Sequence, residues 1–277
     1  MYACHTSQAF FCRWCKHPNV VAIIDALVNP FYTVTVAEKA EQTLHHFLKM
    51  GAISKDSWVI GKYGLNLDQK HLAADASAGL AHVHMCKVLH LDIHPGNVFV
   101  FGTRPGQVRL AIGDFGLACF ENKHCGNVRF VSTCRPPEMW LSGGSRMVTV
   151  KKQMQFIKPQ PPLKYSYPAD VWALGCLIAM IAGGMSPGSL GIADTHTDKD
   201  AAHVEMLLRV MGRPSESTLS RMKWSAFFVS CPLLLGKAGA THLVGRLSVC
   251  KVLQSVFSFA PDKRPSAETL HKTFVSS

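Results

Sequence analysis

Asp92, Asn97 and Asp114 are the residues whose types and spacing most directly suggest chemistry. They stand in the run His90-Leu91-Asp92-Ile93-His94-Pro95-Gly96-Asn97 and, seventeen residues after the amide, in Asp114-Phe115-Gly116. All three offer oxygen. Magnesium takes hard oxygen donors and keeps its phosphate partners, so an acid, an amide and a second acid can hold a metal–nucleotide beside a general base. The three must then face one small volume, and the intervening segment supplies the means. Asn97 to Phe101 and Val108 to Ile112 read as short apolar strands, and residues 102–107 between them are rich in turn formers. A tight hairpin there brings Asn97 back to Asp114.

In this order, around an apolar hairpin, the two runs resemble the catalytic and metal-binding loops of eukaryotic protein kinases, written in that family H-R-D-L-x-x-x-N and D-F-G. Further matches follow in the family's order. Arg135-Pro136-Pro137-Glu138 resembles its A-P-E element, Asp170-Val171-Trp172 with Gly175 the start of its buried central helix, and Asp262-Lys263-Arg264-Pro265 its late arginine. Upstream, His17-Pro18-Asn19-Val20-Val21 resembles the turn after the family's regulatory helix, so the likeness runs from about residue 8 to the end. The run Val210 to Glu216 is similar to the L-G-x-P-x-E segment of the cyclin-dependent and MAP-type group, and Arg135 before Pro136 suits that group.

The resemblance implies an α+β, protein-kinase-like fold. Residues 1–40 would be the remnant of an N-terminal lobe, with a regulatory helix, two strands and a hinge near 37–40. Residues 41–277 would form the mainly helical C-terminal lobe. It also implies a serine/threonine protein kinase moving a phosphoryl group from ATP, with Mg²⁺, to a protein hydroxyl. Asp92 takes the place of the acid that accepts or orients the substrate proton. Asn97 and Asp114 take the places of the metal and nucleotide ligands, and Glu38 and Ala40 lie where the hinge meets the nucleotide. His90 and Phe115 resemble members of the stack joining the lobes, with Cys12 and Ile23 above and Asp170 as the anchor beneath. Glu138 and Arg264 are expected to pair as buried ions. The bland alternative, polar loop residues capping turns, would have to hold for Asp92, Asn97 and Asp114 at once.

Departures from the family pattern pull the other way. Only seven residues precede Gln8, and neither a glycine-rich phosphate loop nor a V-A-I-K lysine strand lies in them. Gln8 itself stands where a glutamate would pair with that lysine. Leu91 replaces an arginine that would grip a phosphate on the activation loop, so control by that route is not expected. His94 replaces the lysine that neutralises the transferring phosphate. An ordinary imidazole titrates at about 6.5, so activity should fall as pH rises through that value. Val131 stands seven residues before Glu138, where a threonine or serine is expected, and Ser132 and Thr133 could substitute only if the loop shifts.

Two functional classes therefore remain: a phosphotransferase, and a catalytically impaired pseudokinase or fragment acting as a binding or scaffold module. Two strands alone are marginal and leave an edge that templates association. A partner covers that edge, or further strands come from sequence upstream of Met1, or the lobe is frayed.

Composition narrows the rest. The 277 residues suffice for a sizeable core, and 48% apolar content is ordinary for a globular protein. Charges interrupt every apolar stretch from Met1 to Val28, so no signal peptide is read there. The most apolar run, Val171 to Gly184, is shorter than the ~20 residues a bilayer requires and reads as a buried helix. Ten cysteines without a regular framework fit a reducing, intracellular compartment, cytoplasmic or nuclear. Cys12 and Cys15 form a C-x-x-C without a second pair, and His82, His84 and Cys86 end a periodic helix. Packing explains both better than zinc.

The net charge of +11 is concentrated in Arg146 to Lys164, within an inserted, proline-containing surface loop near 142–166. A solvated basic loop is the plain reading. Docking of an acidic partner or a membrane surface is the sharper one, and nucleic acid is the weakest because aromatic stackers are scarce. The positioning elements expected are helices at 7–16, 41–50, 65–86, 169–183, 200–211, 242–257 and 265–274, strands at 20–27 and 31–36, and an activation-type loop at 117–135.

Overall fold

The structure, a computed structural model, describes residues 3–29, 32–49, 67–102, 107–121, 134, 136, 138–139, 146–150, 153–157, 165–183, 252, 255–258 and 260–276. Helix α1 (Ala3–Trp14) begins earlier than its apolar pattern suggests and buries Phe11 and Cys12. It stops at Cys15 and turns at His17, whose carbonyl accepts from Val20 N at 3.0 Å. Val20 and Val21 do not enter the first strand as expected. They splice onto the catalytic hairpin instead: Val21 N donates to Ile112 O at 2.8 Å, and Ile112 N to Asn19 O at 2.9 Å. Strand β1 (Ile23–Val28) therefore starts late and pairs antiparallel with β2 (Thr33–Ala37), with an irregularity between Ile23 and Asp25. Ile24, Leu27, Val34 and Val36 are exposed on this ribbon.

The helix expected from Glu41 is shortened for a similar reason. Glu41 N donates to Val100 O at 2.9 Å, and β3 (Gln42–Thr43) pairs with β5 (Val98–Phe101), so backbone groups go to the sheet before helix α2 (Leu44–Lys49) begins. Thr43 then caps that helix, its Oγ1 accepting from His46 N at 3.3 Å. Strand β6 (Arg109–Ile112) completes a three-stranded antiparallel sheet in the order β3–β5–β6.

Beneath the sheet lies α3 (Leu67–Met85), with Leu72, Ala76, Leu80 and Val83 on its buried stripe. It ends at Lys87, whose φ of 62° lies in the left-handed region that terminates helices. Strand β4 (Val88–Leu89) then pairs with β7 (Cys119–Phe120). Helix α4 (Tyr167–Gly183) is apolar on all sides, and almost every side chain from Ala169 to Ile181 is buried. No described helix is long and apolar enough to cross a membrane. Helix α5 (Ala267–Val275) is capped by Ser266, whose hydroxyl accepts from Thr269 N at 3.1 Å, and buries Leu270 and Phe274.

The basic insert is not wholly a loop. Strands β8 (Arg146–Val150) and β9 (Gln153–Ile157) pair antiparallel over five positions, as the β-branched and aromatic residues in Met147-Val148-Thr149-Val150 and Met154-Gln155-Phe156-Ile157 favour. Cys12, Cys15, Cys86 and Cys176 carry free thiols, whereas Cys119 is disulfide-bonded, an exception to the expected reduced set. Val131 to Thr133 and the helix expected at 200–211 lie outside the described residues, as does most of the one at 242–257.

The splice between the upper turn and α3 is tight. A Cβ on Gly79 would stand 2.3 Å from the Asn19 carbonyl oxygen. Gly79→Ala should therefore force the turn off the helix, at a cost of about 1–3 kcal/mol. Denaturant unfolding checks this, and an unchanged midpoint would mean the turn yields freely.

Candidate active site

The register of the hairpin sets the site. Val98 pairs with Ile112, and Gly113 N donates to Asn97 O at 2.9 Å, so Asn97 and, one residue beyond Gly113, Asp114 share one end of the ribbon. Asn97 Nδ2 donates to Asp92 Oδ2 at 2.9 Å and to Asp92 O at 3.0 Å. This fixes the amide with its oxygen turned away from Asp92, as the atom a cation would take. Asp114 is exposed, sits at a φ of 57°, and receives Gly116 N on Oδ1 at 3.2 Å. Left-handed backbone at a residue that is not glycine is costly and is often found at functional sites. Two hard oxygen donors at the mouth of a cleft suit magnesium.

His94 completes this corner. Its Nδ1 accepts from Gly96 N at 3.0 Å, which leaves Nε2 facing Asp92 Oδ2 at 3.8 Å. Gly96 is needed for that fold-back, because a Cβ there would lie 2.7 Å from the imidazole. Below the loop, the fully buried Asp170 accepts His90 N and Leu91 N, each at 2.8 Å, and pairs with His84 Nε2 at 3.1 Å. Those two bonds hold Leu91 at a φ of 63°. The Leu91 side chain is buried in an apolar cluster with Leu89, Met139 and Ala169.

His90 is buried between the loops. Its ring stands 4.7 Å from that of Phe115, Nε2 bonds Gly113 O at 3.0 Å, and Nδ1 accepts from Asp92 N at 3.3 Å. These partners specify the neutral tautomer with hydrogen on Nε2. Burial lowers its pKa against the pull of Asp170. The folded value thus lies below the unfolded one. The associated stability is complete above the unfolded value of about 6.5 and declines as pH falls below it, because the unfolded chain takes a proton that the folded one refuses. The melting temperature should therefore drop between about pH 7.5 and about 5.5, and by less in His90→Gln, which cannot titrate there. Equal drops would remove His90 from the account.

The cleft between ribbon and sheet measures about 380 Å³ and is lined by Cys12, Val21, Ile23, Thr35, Ala37, Glu38, Ala40, Gln42, Thr43, Phe99 and Asp114. It thus joins the expected hinge residues Glu38 and Ala40 to Asp114. The Glu38 carboxylate is already engaged: Oε1 accepts from Ala22 N at 2.9 Å, and Oε2 pairs with Arg109 at 2.9 Å. Arg109 also donates to the Pro18 carbonyl and lies over the Phe101 ring at 4.2 Å. Sequence reasoning gave Arg109 no role, and nothing local to it signals this clamp. The apolar walls Val21, Ala37 and Phe99 were equally silent, though Gly113 hints at a crowded floor. A Cβ there would meet Phe99 and Val21, each at 2.8 Å. Gln8 lies within α1.

A small strand-containing upper part, a helical lower part and a cleft where catalytic loop, second acid and hinge meet together define a bilobal kinase fold. The protein kinase domain family matches residues 9–275, and the chain belongs to that family. It is similar to two mitogen-activated protein kinases of Schizosaccharomyces pombe. With spk1 it shares 24% identity over 268 residues, 92% of this chain and 62% of that protein. With spm1 it shares 28% over 222 residues, 76% of this chain and 43% of that protein. The mitogen-activated protein kinase MPS1 of Pyricularia oryzae is 31% identical over 69% of this chain and 41% of its own length. The chain thus spans about two fifths to three fifths of the lengths of these relatives. Among solved structures, one of the yeast RNA Pol II CTD kinase CTDK-1 complex superposes with a TM-score of 0.69 at 21% identity, covering 97% of this chain and 79% of that one.

Proposed function

We propose that the chain binds ATP with Mg²⁺ in the cleft and transfers a phosphoryl group to a serine or threonine hydroxyl of a protein. The observation that carries this reading is the convergence of Asp92, Asn97 and Asp114, with the Asn97 amide held on the Asp92 carboxylate at 2.9 Å. Asp92 then receives the hydroxyl proton, and Asn97 keeps its carboxylate oriented toward the incoming hydroxyl. His94 Nε2, 3.8 Å from that carboxylate, is the nearby group able to donate toward phosphate oxygens. The Asn97 amide oxygen and the Asp114 carboxylate would hold magnesium. When bound, the magnesium nucleotide supplies the phosphoryl group and the charge that offsets its oxygens. Among the described lining residues there is no cation, so the metal would be the main counter-charge.

We extend the proposal to an intracellular, cytoplasmic or nuclear setting. We also assign the apolar β1–β2 ribbon or the basic hairpin as the place where a protein partner completes the molecule.

Thermal shift with ATP and Mg²⁺ tests the reading. Melting should rise by several degrees in the parent chain, and Asp114→Asn should abolish the metal-dependent part. A chain that shows no shift in either form is a binding module and not a phosphotransferase.

A further inference from the structure

Behind the cleft, an ion pair ties the hinge to the rest of the site. Backbone bonds hold the hinge at both ends: Glu38 N donates to Ala22 O, and Glu41 N to Val100 O, each at 2.9 Å. The Glu38 side chain adds a third tie. Its Oε1 accepts from Ala22 N at 2.9 Å, so Glu38 is bonded twice to the residue between Val21 and Ile23, both of which line the cleft. Oε2 is taken by Arg109 on β6, whose Nη2 donates to it at 2.9 Å. The other prong of the guanidinium donates to the Pro18 carbonyl, and its plane lies 4.2 Å over the Phe101 ring. Arg109 is not a lining residue, yet hinge, the turn after α1 and catalytic hairpin all meet on it.

We propose that Arg109 is a positioning residue for the nucleotide, acting through the Glu38 carboxylate. The proposal rests on the reading of the cleft as an ATP–Mg²⁺ site. Two effects carry it. The first is electrostatic. The cleft wall bears two carboxylates, Glu38 and Asp114, and no cation among its described lining residues. A triphosphate entering such a site meets charge of its own sign, at short range and in a partly desolvated setting. Arg109 cancels Glu38 from behind, which leaves Asp114 as the carboxylate for the metal. The second effect is geometric. Both partners are partly exposed, 32% for the Arg109 side chain and 26% for that of Glu38, so the pair adds little to stability as such. What a planar fork stacked on a ring supplies is direction, since it fixes the carboxylate in one rotamer. The Glu38 bond to Ala22 N then persists, and the hinge stays in register with the hairpin that carries Asn97 and Asp114.

Calorimetric titration of the full 277-residue chain with ATP and Mg²⁺ is the test, followed by steady-state phosphorylation of an acceptor peptide. Arg109→Met keeps an apolar stem on Phe101 and removes the charge. It should weaken ATP–Mg²⁺ binding by roughly three- to tenfold and raise KM for ATP by the same factor. The kcat at saturating ATP and the KM for the peptide should stay within about twofold of the parent, the split expected when nucleotide binding alone is lost. Arg109→Lys, which can still neutralise Oε2, should recover part of the binding. In Glu38→Gln the amide oxygen can accept from Ala22 N but carries no charge to cancel, so adding Arg109→Met there should change binding little. Unchanged ATP affinity in Arg109→Met overturns the proposal. An undiminished Arg109→Met effect in the Glu38→Gln background does so too, as does a joint fall in melting temperature, kcat and peptide affinity, the mark of a merely structural residue. A parent chain that binds no ATP overturns the functional reading and this assignment together. A parent that binds ATP no better than Arg109→Met overturns the assignment alone.

Discussion

Arg264→Ala should unfold the lower lobe more than it touches any chemistry, with a loss of about 3–5 kcal/mol. Arg264 is only 7% exposed, and four of the five N–H groups of its guanidinium are bonded. It grips Glu138 at 2.6 and 2.7 Å through Nη1 and Nη2, donates to Pro168 O and Ser258 O at 2.9 Å each, and lies 4.9 Å above the Trp172 ring. Removing it leaves the buried Glu138 carboxylate without its counter-ion and two carbonyls without a donor. The pair itself need not be a large net stabiliser, since desolvation offsets much of its attraction. The damage comes from stranding one partner. Calorimetry should show a fall of roughly 10 °C in melting temperature. Arg264→Lys should recover only part, because a single ammonium cannot reproduce the two-pronged geometry. An Arg264→Ala chain that melts with the parent would show the pair to be idle.

Asp92→Asn should act in the opposite way, sparing the fold and removing the reaction. An asparagine there can still accept from the Asn97 amide that now sits 2.9 Å from Oδ2, so the loop has no reason to collapse. What disappears is the group that receives a proton, and general-base removal typically costs about 10²–10⁴ in rate. Phosphorylation of an acceptor peptide should fall by that factor, while the ATP–Mg²⁺ thermal shift persists. That combination separates Asp92 from Asp114, whose amide variant should lose the shift itself. If Asp92→Asn keeps its rate, Asp92 is a turn cap. If it loses the shift as well, its role is architectural.

The residues expected to act were legible because they are local. Asp92, His94 and Asn97 belong to one loop, and a hairpin of alternating apolar residues is sufficient to bring Asp114 beside them. The central helix and the Glu138–Arg264 pair were equally readable, one from an unbroken apolar run and the other from the motifs that flank it. The misplacements share one physical cause, competition for backbone hydrogen bonds by distant strands. Val20 and Val21 look like strand β1, but Val20 N bonds His17 O and Val21 N bonds Ile112 O, and Gln42 and Thr43 look helical but pair with Val100 and Phe99. Side-chain partnerships across the molecule left still less trace. Arg109 meets Glu38 over 71 positions, and Trp14 meets Cys86 over 72. No periodicity records such contacts, because each depends on how whole elements come to rest against one another.

Leu91 carries the last consequence. Its side chain is buried among Leu89, Met139 and Ala169, and its N–H is held by Asp170 at 2.8 Å. The posture of the catalytic loop is thus settled when the chain folds, and no later event is needed to renew it. Such a loop is a fixed part of the machine and not one of its dials. A signal aimed at this loop would find the Leu91 side chain already buried and its N–H already taken.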